Sequence, residues 1–89
     1  MNDVDTLDVR YFAGAAAAAG REEERVALDS DLRPVGTLGD LVRVLGARDP
    51  ALARVLAASS FLVDGVAARP EDRLRPGTTL DVLPPFAGG

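Results

Sequence analysis

The chain has no cysteine and no histidine in 89 residues, and these two absences constrain its folding more than anything else. Without disulfides, thiolate ligands or imidazole ligands nothing staples the chain, so one hydrophobic core must stabilise it. At 89 residues there is room for one domain only. Apolar residues make up 47% of the chain, enough for such a core, but folding claims most of them. Little remains to line an internal catalytic pocket. The usual imidazole base and the cysteine nucleophile are also missing.

Charge narrows the partners. Fourteen Asp and Glu face ten cationic residues, all of them Arg, for a net charge of −4. Nucleic-acid binding needs a basic stripe that displaces counterions, and no such stripe is present, so no nucleic-acid partner is expected. The longest apolar run, Phe12 to Gly20, falls well short of the ~18 residues of a membrane span. Asp3, Asp5 and Asp8 make the start of the chain acidic where a secretory signal is basic. A cytoplasmic domain without membrane contact is the expectation.

Periodicity divides the chain into eight elements. Residues 7–12 alternate, which predicts a strand with Leu7, Val9 and Tyr11 inward. Ala13 to Ala19 reads as a short helix stopped by Gly20, and Arg25 to Leu28 as a second strand with Val26 and Leu28 inward. Asp29 to Gly36 reads as a loop. Thr37 and Asp40 form a capping-box pattern, followed by Leu38, Leu41, Val42 and Leu45 on one helical stripe, with Gly46 as its end. Asp49-Pro50 opens a further helix with Leu52, Val55 and Leu56 inward, broken at Ser59-Ser60. Phe61 to Ala68 reads as a hairpin turning at Asp64-Gly65. Arg69 to Arg75 is a polar loop, Pro76-Gly77 a type II turn and Thr78 to Leu83 the last strand, with Leu80 and Val82 inward. This order predicts an α+β chain: a mixed sheet of about five strands with the main helix on one face, the β-grasp (ubiquitin-like) arrangement. The domain is expected over residues 1–83, with an extended C-terminal tail over 84–89.

That tail reads Pro84-Pro85-Phe86-Ala87-Gly88-Gly89. Neither prolyl nitrogen can extend a ladder, and paired prolines favour an extended chain that loses little entropy when ordered. Six residues reach at most about 20 Å. Gly88 and Gly89 have no Cβ, so a partner can grip their backbone closely and the carboxylate is unhindered. A carboxylate on such a thin probe suits activation inside another enzyme's channel.

Strand alternation places Phe12 with Asp8 and Arg10, and Leu83 with Asp81, on the face away from the core. If the first and last strands are neighbours, Arg10 meets Asp81 while Phe12 and Leu83 lie exposed beside the tail root. With Phe86 they would form an apolar patch of the kind that marks a partner. Glu22, Glu23 and Glu24 read as a solvated charge run. Gly36 to Gly39 lacks the Lys and Ser/Thr of a phosphate loop. No intrinsic catalytic constellation and no metal site is expected.

Val9 to Gly14, Phe61 to Gly65 and, most specifically, Leu83 to Gly89 resemble the MoaD/ThiS sulfur-carrier family, in particular its molybdopterin synthase small-subunit branch. The resemblance covers roughly residues 7–89. It implies a carrier that is not catalytic alone and binds no cofactor itself. An E1-like adenylyltransferase would use ATP to activate the Gly89 carboxylate, and a persulfide-bearing sulfurtransferase would convert it to a thiocarboxylate. The tail would then deliver sulfur inside the large synthase subunit to cyclic pyranopterin monophosphate. The resemblance implies that Gly88 and Gly89 are the reactive end, and that Phe12, Leu83, Pro84, Pro85, Phe86 and Ala87 are partner-binding. Thiamin thiazole synthesis, cysteine synthesis, ubiquitin-like protein modification and a plain β-grasp interaction module whose glycines have no role are the alternatives. The run Ala15 to Ala19 departs from relatives that carry polar residues there.

Overall fold

The computed structural model describes residues 6–28 and 36–85. The elements run β1 (Thr6–Tyr11), α1 (Gly14–Ala19), β2 (Glu23–Ala27), α2 (Leu38–Gly46), α3 (Pro50–Ala58), β3 (Ser60–Val63), β4 (Val66–Ala67) and β5 (Thr79–Leu83). The strands form one sheet in the order β2-β1-β5-β3-β4. The first and last strands lie side by side and parallel, while the other pairings are antiparallel. The expected mixed five-stranded sheet is therefore the observed one.

Alternation decides which face is covered. Leu7, Val9 and Tyr11 of β1 and Leu80 and Val82 of β5 are buried together with Leu38, Leu41 and Leu45 of α2 and Leu52 and Leu56 of α3. Asp8 and Arg10 point to the opposite, open face. At α2 the Thr37 hydroxyl accepts from the Asp40 N–H, and the Asp40 carboxylate accepts from the Thr37 N–H, both at 3.1 Å. This satisfies two backbone donors that a helix start leaves orphaned. The hairpin turn has φ of 49° at Asp64 and 83° at Gly65, the type I′ geometry that matches strand twist.

Some expected boundaries shift. The chain leaves β1 at Tyr11, and α1 begins only at Gly14, because Ala13 adopts φ 49°, ψ −125°. That is the first central position of a type II′ turn, closed by the Ala15 N–H donating to the Phe12 carbonyl at 2.9 Å. Alanine there is strained where glycine would not be. Strand β2 starts at Glu23, earlier than its apolar residues suggest, because its pairing runs as far as Arg10 opposite Glu23. Gly46 is the last residue of α2, as expected. A Cβ on Gly46 would stand 3.2 Å from that of Ala53, so its role is close approach of α2 and α3. Leu74, within the polar loop, is buried, its N–H donating to the Gly36 carbonyl at 3.0 Å.

Glu24 is the main correction to the charge run. Its side chain is only 7% exposed. It accepts from the Tyr11 hydroxyl at 2.6 Å and from Arg48 Nη1 at 2.9 Å, and Arg21 lies 3.6 Å away. Burial alone pushes its carboxyl up, but the hydrogen bonds from Tyr11 and Arg48 and the charges of Arg48 and Arg21 outweigh this and hold it low. The same carboxylate, after burial itself, pushes the Tyr11 phenol far up, so Tyr11 stays a donor at any working pH. A carboxyl held low stabilises the fold above its unfolded pKa, and that contribution is lost as pH falls through the folded value. Urea unfolding of Glu24→Gln should thus show a flatter stability profile than the parent below about pH 4. At neutral pH Tyr11→Phe should cost about 1.5 kcal/mol, the worth of a hydrogen bond to a charged group.

Candidate functional site

The open face of the sheet is organised around β1 and β5. Arg10 stands beside Asp81 in register. Its Nε donates to Oδ1 at 2.7 Å and its Nη2 to Oδ2 at 3.0 Å, a bidentate fork. Asp81 is nearly buried at 8% exposure. The expected meeting of these two side chains is therefore present. The hydrogen bonds and charge of Asp81 hold the Arg10 guanidinium still more firmly protonated. Glu23 lies opposite Arg10 on the other side, and Leu62 opposite Asp81, so one row reads Glu23, Arg10, Asp81, Leu62 across four strands.

Phe12 follows directly. Its N–H donates to the Val82 carbonyl at 3.3 Å, which carries the β1–β5 pairing past the end of β1. The strained turn at Ala13 then takes the chain away, leaving the ring partly exposed among the described residues. Phe12 is 40% exposed. The Arg10 guanidinium carbon sits 5.6 Å from its ring centroid, within cation–π range. Arg10 thus braces Phe12 and neutralises Asp81 at once.

At the end of β5, Leu83 lies opposite Ser60 and is half-buried rather than fully exposed. Pro84 is half-buried and Pro85 exposed, continuing from the central strand of the sheet. Phe86, Ala87, Gly88 and Gly89 lie outside the described residues. The structure brings together Phe12, Leu83 and Pro84–Pro85 at one end of β1 and β5. Leu62 was missing from the sequence-derived patch. Alternation from Phe61 and Val63, once β3 pairs with β5, puts it on the open face. Among the described residues no group of three or more Asp and Glu could hold a metal ion. No helix among them is long and apolar enough to cross a membrane. This face carries an exposed aromatic ring, a fixed ion pair and the two prolines that follow β5.

The ThiS family pattern matches residues 9–89. The chain belongs to the ThiS family. Membership accords with the resemblance to MoaD/ThiS sulfur carriers, and solved structures bear out the β-grasp fold. Small archaeal modifier protein 1 of Haloferax volcanii is 30% identical with a TM-score of 0.75, over 94% of this chain and 99% of that one. A Pyrococcus furiosus protein described as molybdopterin converting factor, subunit 1, is 25% identical with a TM-score of 0.75, over 90% and 97%. The complex of subunits 1 and 2 of the Helicobacter pylori molybdopterin-converting factor shares the fold at 19% identity and a TM-score of 0.63, over 94% and 99%. A search of curated proteins found no match.

In this ThiS-family chain the Arg10–Asp81 fork links the two central strands, and removing one partner leaves the other's charge behind. Arg10→Ala leaves a nearly buried carboxylate without its counter-charge, whereas Arg10→Ala with Asp81→Ala does not. The single variant should therefore be less stable to urea than the double. A double variant at least as damaged as the Arg10 single would refute a coupled pair.

Proposed function

We propose that this protein is the sulfur-donor small subunit of a molybdopterin synthase. The observation that carries the reading is the Pro84–Pro85 exit from the central strand, beside exposed Phe12, leading in sequence to Gly88-Gly89. It is supported by the likeness to the P. furiosus subunit 1 and to the H. pylori subunit complex. The chain would be a cargo domain rather than an enzyme by itself. An E1-like adenylyltransferase would join the Gly89 carboxylate to AMP from ATP, releasing pyrophosphate. A persulfide sulfur would displace AMP, and thiol cleavage of the resulting S–S bond would leave the thiocarboxylate. The large subunit would then hold the tail while sulfur passes to cyclic pyranopterin monophosphate.

Each residue has a part in this reading. Gly88 and Gly89 pass a channel too narrow for side chains. Pro84 and Pro85 keep the tail extended, so inserting it costs little entropy. Phe12 and Leu83, with Phe86 and Ala87, seat the domain against the large subunit, Phe12 acting as the aromatic anchor typical of interface hot spots.

A second reading rests on a specific likeness, since a neighbour at 30% identity is described as an archaeal modifier protein. The same activated tail could then be joined to lysines of other proteins. Sulfur donation to thiamin thiazole or to cysteine synthesis uses the same chemistry with a different acceptor.

Intact-mass spectrometry of the protein from its native host separates these readings. An oxygen-to-sulfur mass gain that disappears on deleting Gly89 is expected, together with loss of cofactor synthesis. Adducts on the lysines of other proteins would instead establish the modifier. Phe12→Asp should weaken binding to the large subunit at least about tenfold, as expected for a truncated hot spot, while leaving thermal unfolding nearly unchanged. Unaltered binding would remove Phe12 from the interface.

A further inference from the structure

At the edge of the sheet opposite the hairpin, β2 leaves a row of backbone groups unpaired by the sheet. The Tyr11 N–H donates to the Glu22 carbonyl at 2.8 Å. With the observed register, this makes Val9–Glu24 and Leu7–Val26 hydrogen-bonded pairs. On the other side of β1, Asp8 and Phe12 donate to β5, as the same alternation requires. The N–H and C=O groups of Glu23, Arg25 and Ala27 therefore point away from the sheet. All three residues are exposed, and the Arg25 side chain is 73% exposed.

Such an edge accepts another strand. Charges on it usually block this, but here they select a register. Pairing with a second copy centred on Arg25 would set Arg25 against Arg25, which is unfavourable. Pairing centred on Glu24 sets Glu23 against Arg25 twice, related by two-fold symmetry. Both are hydrogen-bonded pairs, each exchanging two N–H···O bonds. On the covered face Glu24 then meets its own counterpart. Its carboxylate is turned inward to Tyr11 and Arg48 and contributes little repulsion. Arg25 already lies 3.3 Å from its own Asp8, and its planar fork can serve Asp8 and a Glu23 from the second copy together.

We propose that β2 is a self-association edge: two copies pair antiparallel about Glu24, joined by reciprocal Glu23–Arg25 ion pairs, into one continuous sheet. The contact is narrow, so the dimer forms at high protein concentration and is salt-sensitive. The two-fold axis runs perpendicular to the sheet, so the two β5 strands end in opposite directions, away from the paired edge. The proposal is thus independent of what the tail carries.

Sedimentation equilibrium of the full chain at about 1 mM and low salt tests it, in the range where weak contacts populate. The mass should rise from the 9.3 kDa monomer toward twice that value. Arg25→Glu and Glu23→Arg should each stay monomeric alone, yet associate when mixed. The double variant, with the charges exchanged, should self-associate like the parent. Amide exchange at Glu23 and Arg25 should slow as concentration rises. Circular dichroism checks that every variant is folded, as expected for substitutions at exposed positions. A parent that remains at 9.3 kDa would overturn the proposal. So would an Arg25→Glu variant that associates as well as the parent, or a mixture no better than its components.

Discussion

The parallel pairing of β1 with β5 is the contact on which the rest of the fold depends. It joins the two strands most distant in sequence, so its closure entropy is the largest in the domain. Once made, it sets the inner faces of both strands side by side, with Leu7, Val9, Tyr11, Leu80 and Val82 as the floor on which α2 and α3 pack. It also aligns Arg10 with Asp81 and Phe12 with the end of β5 on the other face. The core and the open face are thus two sides of one register. A one-residue slip would send Asp81 into the core and Leu80 into solvent.

The two faces are stabilised differently. The covered face relies on apolar burial, which tolerates small shifts. The open face relies on a bidentate ion pair whose carboxylate is nearly buried, and this demands one geometry. A polar contact that contributes modestly to stability can still define register, because every alternative leaves Asp81 without Arg10.

Features that depend on neighbouring residues were legible in the sequence. The alternation of Leu7, Val9 and Tyr11, the Thr37–Asp40 capping box and the Asp64–Gly65 turn each fold as their local chemistry dictates. The Arg10–Asp81 pair could also be anticipated, because strand alternation and one topological assumption suffice. Tertiary context decided the remainder. Glu24 reads as part of a solvated run until Arg48, from the turn after α2, reaches it. Gly46 ends α2 as read, but only the packing shows that its missing Cβ also lets Ala53 of α3 approach. Leu74 sits in a polar loop that pairs with Gly36 and folds the side chain inward. Ala13 gave no signal, since nothing in an alanine-rich run announces a positive φ.

The exit of the tail from β5 has a mechanical consequence. Strand β5 is flanked by β1 on one side and β3 on the other. Tension applied at Pro84 along the strand axis therefore loads both ladders in shear, where many hydrogen bonds share the force. A tail leaving an edge strand at an angle would instead be peeled one bond at a time. A domain held by its last residues and pulled by its body resists being unravelled from the point at which it is gripped.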